Sequence, residues 1–310
     1  MSLRYDPTAT AAYAALLRAR FGIDPGPPPE ELSRPFRGHL VHVDRHAAEG
    51  ERRGTVVLVH GAGGHGRLLA PFARPCTRAG FEVLAPDLPG YGVTRLRAGA
   101  SPSYPEWIDL LVEIADEAAA RGPVVLFGLS VGGMTACRVA ERARRVDGVI
   151  ATTLVDLADP ATFDRLARTP LLGKLARFAF RRLHVLDGVA LPLRWLTPLG
   201  TLTTDPAIRH ALLADPLLGG RRVPLGFFRS LHGHRPATPV PRLPCPLLVV
   251  HPGADAWTEA SMSREVFDRL PGDATRTFVE LTNGAHAPLE SPAYDELSRA
   301  VTAFLEQVAT

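Results

Sequence analysis

Apolar positions in this 310-residue chain follow two patterns. Short runs of strand type occur at Thr55–Val59, Phe81–Pro86, Pro123–Phe127, Val146–Leu154, Pro246–His251 and Thr275–Leu281, with a further strand near Gly38–Val43. Between them lie stretches of helical character at Arg67–Ala79, Tyr104–Arg121, Gly133–Arg144 and Ser261–Leu270, and a last one at Ala293–Val308. Apolar runs separated by amphipathic helices predict an α/β fold, a mostly parallel, doubly wound sheet covered on both faces. Residues 1–36 stand outside this alternation. Thr8–Phe21 reads as an alanine-rich helix, and Asp24-Pro25-Gly26-Pro27-Pro28-Pro29 breaks it, so an N-terminal leader is expected there.

The alternation also fails between Asp156 and Pro246. About 90 residues stand where a strand-to-helix connection ordinarily takes about 2–6. Leu171–Leu186 and Ile208–Leu213 read as helical, while Pro192, Pro198, Pro206, Pro216, Pro224, Pro236, Pro239 and Pro241 cut the segment into short pieces. The predicted organisation is a core of residues 37–156 and 244–310 carrying a helical cap, 157–243. Such a cap lies over the carboxyl ends of the strands, where open α/β sheets keep their sites.

Three of the strand-like runs end in chemistry. Val124-Val125-Leu126-Phe127 leads into Gly128-Leu129-Ser130-Val131-Gly132, and a helix follows. A serine hydroxyl is a weak nucleophile that must stand clear of its neighbours. A sharp strand-to-helix turn does this, and glycine two before and two after tolerates the crowding. The helix start behind the serine aims N–H groups at a developing oxyanion. Val56-Val57-Leu58-Val59 ends in His60-Gly61-Ala62-Gly63-Gly64. Thr275–Thr282 leads into Asn283-Gly284-Ala285-His286. His286, on a loop after the last strand, is placed to act as a general base toward Ser130.

At these residues the chain resembles the α/β-hydrolase family, in its serine esterase and lipase form with an inserted cap. The marks are His60-Gly61-Ala62-Gly63, Asp87-Leu88-Pro89-Gly90-Tyr91-Gly92, Gly128-Leu129-Ser130-Val131-Gly132, Gly253-Ala254-Asp255 and Gly284-Ala285-His286. They occur in the family's order of nucleophile, acid and histidine. The resemblance covers roughly residues 37–156 and 244–308. It implies Ser130 as nucleophile, His286 as base and Asp255 as the acid that holds the imidazole in one tautomer. Asp156 is the alternative acid and Asp159 a third. The oxyanion hole falls to the N–H groups of Val131 and, by resemblance, Ala62, with Gly63 in reserve. Asp87 and His60 read as structural, His65 and Trp257 as pocket-lining. The implied reaction is hydrolysis of carboxylic esters with apolar acyl or alcohol groups, through an acyl-enzyme. Thioester, lactone, amide and C–C bond hydrolysis share the same residues, and a non-catalytic binding protein on this scaffold is the reading from another class.

Composition narrows the rest. Hydrophobic content of 46% suits a soluble chain with a full core. No secretory signal and no apolar run of the ~20 residues a membrane span needs is seen. The three cysteines, Cys76, Cys137 and Cys245, lack metal spacing and read as reduced thiols, so a cytoplasmic location is expected. No dinucleotide fingerprint, P-loop or metal motif appears, and no cofactor is expected. The net charge is only +3, but residues 157–243 hold 13 basic and 5 acidic side chains. That surplus reads as arginines solubilising the cap's outer face, with a cationic rim that gathers anionic substrates as the alternative. With no nucleic-acid motif, the expected partner is a small-molecule ester or related acyl compound. The sequence sets no oligomeric state.

Overall fold

Alternate residues of the central strands enter two different cores, one on each face of a sheet. In the computed structural model, which describes residues 5–236 and 238–309, eight strands form this sheet. They are β1 (Glu30–Phe36), β2 (His39–His46), β3 (Gly54–Val59), β4 (Phe81–Pro86), β5 (Val124–Gly128), β6 (Gly148–Ala151), β9 (Leu247–His251) and β10 (Arg276–Glu280). Their spatial order is β1-β2-β4-β3-β5-β6-β9-β10. β1 and β2 run antiparallel, as do β2 and β4, and every other pair is parallel. Val57 and Val59 of β3, with Val124 and Leu126 of β5, pack into one core. Val56 and Leu58, with Val125 and Phe127, pack into the other. Both faces being covered is why these strands read as unbroken apolar runs.

Helices α3 (Tyr104–Ala119) and α4 (Val131–Ala140) cover the first face, and α2 (Ala70–Arg78) and α11 (Ala293–Val308) cover the second. α10 (Ala260–Arg269) adds Val266 to the first core. These elements match the expected helices to within a few residues. No helix among the described residues is long and apolar enough to cross a membrane.

The leader differs from its expectation. α1 spans Pro7–Phe21, but residues 30–36, assigned above to the leader, form edge strand β1 of the main sheet. Its charged residues and Pro35 mask the strand. An edge strand with one open side tolerates both. Tyr5 is tied into the interior as well, its hydroxyl donating to the Asp87 carboxylate at 2.8 and 2.9 Å.

Between β6 and β9 the chain forms α5 (Pro160–Leu166), α6 (Pro170–Arg182), α7 (Leu193–Leu196), α8 (Pro206–Ala214) and α9 (Leu225–His232). A two-stranded ribbon, β7 (Ala190–Pro192) with β8 (Arg222–Pro224), braces them. Three prolines here start helices, Pro206 among those expected to cut the segment. Pro160, Pro170 and Pro206 occupy the first helical turn, behind Asp159, Thr169 and Asp205, whose side chains accept N–H groups of that turn.

Candidate active site

Ser130 sits between the end of β5 and the start of α4 with φ 57° and ψ −131°, a left-handed conformation that costs a non-glycine residue about 1–3 kcal/mol. The surrounding backbone holds it there. Its N–H donates to Thr152 Oγ1 at 3.1 Å, and Leu129 N–H donates to the Val59 carbonyl at 2.9 Å. The flanking glycines are required by close approach. A Cβ on Gly128 would stand 2.0 Å from the Gly132 carbonyl oxygen, and one on Gly132 2.2 Å from that of Val59.

His286 follows β10 on a loop in which Gly284 takes φ 96°. Its Nε2 lies 2.8 Å from Ser130 Oγ and its Nδ1 2.7 Å from Asp255 Oδ2. A carboxylate only accepts, so Nδ1 carries the proton and Nε2 is left to accept from the serine hydroxyl. The Trp257 ring packs on the imidazole at 4.6 Å between centroids. Asp255, just beyond β9, also accepts the N–H groups of Trp257 (2.8 Å) and Thr258 (3.0 Å). Burial alone would raise this carboxyl. The charge and hydrogen bond of His286, with those two N–H groups, outweigh it and hold the group below its ordinary range.

Asp156 is not joined to this row. Its carboxylate accepts the Ala158 N–H at 2.9 Å, and Asp156 lines, with Arg138 and His234, a neighbouring cavity that does not include Ser130 in its wall. Asp159 caps α5. Asp87 is fully buried. Burial would raise its carboxyl, but His42, His65 and backbone donors pull it down to about 2. It accepts Gly66 N–H at 2.7 Å and Val93 N–H at 2.9 Å, bracing the two loops beside the site.

His60 is neutral, its ring lowered to about 4 by complete burial. Nε2 accepts the Leu88 N–H at 3.0 Å, so the proton is on Nδ1, which donates to the Gly61 carbonyl at 2.7 Å. The Ala62 N–H shares that peptide plane and faces the opposite way. The His60 ring thereby orients the Gly61–Ala62 peptide. Gly61 abuts the serine: a Cβ there would stand 2.8 Å from Ser130 Cβ. Val131 N–H, the other expected donor, opens α4.

Two cavities touch Ser130. One includes Ala62, Val131, Leu172, Phe180, Phe228 and Trp257 in its wall. The other includes His286, Tyr13, Phe72, Leu202, Leu212 and Trp257. Among the described residues, neither has an aspartate or glutamate in its lining. His65, expected in the pocket, lines neither. It lies 3.4 Å from Asp215 and stacks on Tyr5 at 5.0 Å. Sequence reasoning missed Thr152, which fixes the serine backbone, and Tyr13, because neither stands in a recognisable spacing. The three cysteines are buried and free.

Glu31, His42 and Asp44 bring ligand-type atoms within 4.8 Å of one another. Arg67 already fills that space, donating to Asp44 at 2.7 and 2.8 Å and to Glu31 at 2.7 Å, so the donor set serves a guanidinium.

The sequence model of the family described as serine aminopeptidase, S33, matches residues 50–292. The chain is 25% identical to phospholipase YtpA of Bacillus subtilis, covering 82% of this chain and 95% of that one. It is 28% identical to a monoacylglycerol lipase of Mycolicibacterium smegmatis, over 71% and 77% of the two chains. Among solved structures, a monoacylglycerol lipase of Paleococcus ferrophilus superposes with a TM-score of 0.66 at 26% identity, over 86% of this chain and 99% of that one. A monoglyceride lipase of Saccharomyces cerevisiae reaches 0.74 at 17% identity, over 92% and 97%, a likeness of fold.

Proposed function

The chain belongs to the α/β-hydrolases matched by the serine aminopeptidase, S33 family, and from that premise we propose that it hydrolyses carboxylic esters through an acyl-enzyme on Ser130. The observation that carries this reading is the hydrogen-bonded row Ser130–His286–Asp255 at the meeting point of two apolar cavities. His286 Nε2 takes the hydroxyl proton as Ser130 Oγ bonds to the carbonyl carbon. The C–O bond to the leaving group then breaks, and the imidazolium returns the proton to the departing alcohol. Water, deprotonated by the same nitrogen, releases the acid. Asp255 holds the tautomer and balances the imidazolium charge. The N–H groups of Val131 and Ala62 receive the oxyanion, each lowering the barrier by about 3–4 kcal/mol.

The family's description raises a peptide substrate with a free amino terminus. An α-ammonium entering either cavity would lose water without meeting a carboxylate, which is costly. An ester with an apolar acyl chain meets no such penalty, and relatives named phospholipase and monoacylglycerol lipase favour it. In this reading residues 157–243 act as a cap: Leu172 and Phe180 of α6 and Phe228 of α9 roof the cavity over Ser130.

A fluorophosphonate probe tests the nucleophile and a p-nitrophenyl ester series tests the reaction. Labelling confined to Ser130, with turnover of esters but not of amino-acid p-nitroanilides, is the expected result. Turnover of the anilides alone would replace esterase by aminopeptidase.

A further inference from the structure

Ser130 lies between its two cavities rather than at the end of one, and the cavities differ in which part of the reaction they can serve. The first is bounded by Val131, Val155 and Leu157, with α6 and α9 forming its roof. His286 is in the wall of the second, with Ala287, Tyr13 of α1, and Leu202, Leu212 and Leu218 around it. Each encloses about 100 Å³, and they meet at Ser130, sharing Ala62 and Trp257 in their walls.

Stereochemistry assigns them. When Ser130 Oγ bonds to the carbonyl carbon, the leaving oxygen must face the group that protonates it, which is His286 Nε2. The alcohol part of the ester therefore departs on the side that His286 lines. The acyl chain extends on the other side, beneath α6 and α9. Resting on the ester-hydrolase reading above, the geometry points to a substrate with an apolar chain on both sides of the ester bond, its alcohol chain lodged in the His286-side chamber.

The walls of that chamber argue for the apolar alcohol. Ile208, Leu212 and Leu218 form a small core of their own with Tyr13, Leu16 and Leu202 packed against it. Its lining offers few polar side chains beyond the reacting Ser130 and His286. Of these, His60 is already bonded through both ring nitrogens and the Trp257 indole N–H donates to the Leu166 carbonyl at 2.9 Å, leaving the Tyr13 hydroxyl. A polyol leaving group would bury hydroxyls without partners. An alkyl chain would exchange water for leucine. The N-terminal helix thereby becomes part of the substrate site, held against the insert by an ion pair of Arg20 with Asp205 at 2.6 Å.

The test is a set of butanoyl esters that differ only in the alcohol: methyl, butyl, hexyl and glyceryl. For the intact protein kcat/KM rises about fourfold per added methylene until the chamber is full, and the glyceryl ester falls at or below the methyl ester. Leu212→Trp fills the chamber and lowers the hexyl-to-methyl ratio at least about tenfold, and Leu202→Phe is the milder substitute should it fail to fold. Leu172→Trp, in the first cavity, leaves that ratio alone and instead penalises longer acyl chains in methyl esters. A flat alcohol series, or a preference for the glyceryl ester, overturns the assignment while leaving the ester hydrolase standing. Failure to cleave any of the four, together with no fluorophosphonate labelling, removes the ester-hydrolase reading and this one with it.

Discussion

Phe127 and Phe178 are the same residue under opposite rules. Phe127, in β5, is fully buried against Phe72. Phe178, in α6, is 66% exposed. They stand for two regions. In the sheet and its helices, apolar side chains go inside and hold Ser130, His286 and Asp255 in one row. In the segment between β6 and β9, the exposed large apolar side chains of the described residues gather: Leu171, Leu175, Phe178, Leu183, Val185, Val189 and Trp195. α6 is apolar on two sides. Leu172, Ala176 and Phe180 face the cavity over Ser130, while Leu171, Leu175 and Phe178 face outward. The difference teaches that chemistry is fixed where burial is strict, and that the surface above it obeys other constraints than this chain's own core.

If that division holds, the largest effect belongs to the strict region. Ser130→Ala and His286→Ala each lower ester turnover about 10⁴- to 10⁶-fold, and the double variant loses little more, because the pair acts as a unit. Steady-state rates with active-site titration check this, and retained activity in Ser130→Ala would dissolve the comparison. Asp255→Asn comes next, with a loss near 10⁴-fold from the wrong imidazole tautomer, against little change for Asp156→Asn.

Packing gives a smaller and direct contrast. Phe127→Ala costs about 3–5 kcal/mol of stability. Phe178→Ala stays within about 0.5 kcal/mol. Urea midpoints for the two variants measure the difference, and similar costs would show that the exposed face is not free.

Acid gives the smallest contrast. Burial lowers the rings of His46 and His60 to about 4, against about 6.5 when unfolded. Between those values the unfolded chain takes up protons that the folded core refuses, so their contribution is present above pH 6.5 and is lost as pH falls toward 4. His42 opposes this. Burial lowers it too, but Asp87, Asp44 and Glu31 raise it on balance, so its contribution grows on the acid side. His234 and His251, also lowered chiefly by burial, join the first group, so four rings against one predict a lower Tm at pH 4.5 than at pH 7.5. An equal or higher Tm at pH 4.5 would mean that the buried rings do not govern acid stability.

The same division decided what could be read from the sequence. Ser130 and His286 were legible because a strand ends before each, and backbone crowding demands glycine around the serine. Asp255 was separable from Asp156 only by its Gly253-Ala254-Asp255 context, since both follow strands and both lie between Ser130 and His286 in the chain. β1 was hidden by Glu30, Glu31, Arg34 and Pro35, which an edge strand accepts. In the insert, Pro192 and Pro224, read as breaks, stand just before α7 and α9, which have no side-chain cap to announce them, and α5 was missed although Asp159 caps it. The two cavities were beyond reach, because Tyr13 and Leu212 are 199 positions apart and meet only when α1 packs on α8.

β6 and β9 are neighbours in the sheet, and Ala151 pairs with Val249, two residues past Leu247. The long excursion therefore leaves and returns across a gap of about 8 Å. Closing a loop over a short gap costs entropy that grows only with the logarithm of its length, about 0.6 kcal/mol for each doubling. Lengthening, shortening or exchanging this excursion is thermodynamically cheap for the sheet beneath it. Descendants of such a chain can trade one roof for another, and so one diet for another, without reopening the question of how the serine is held.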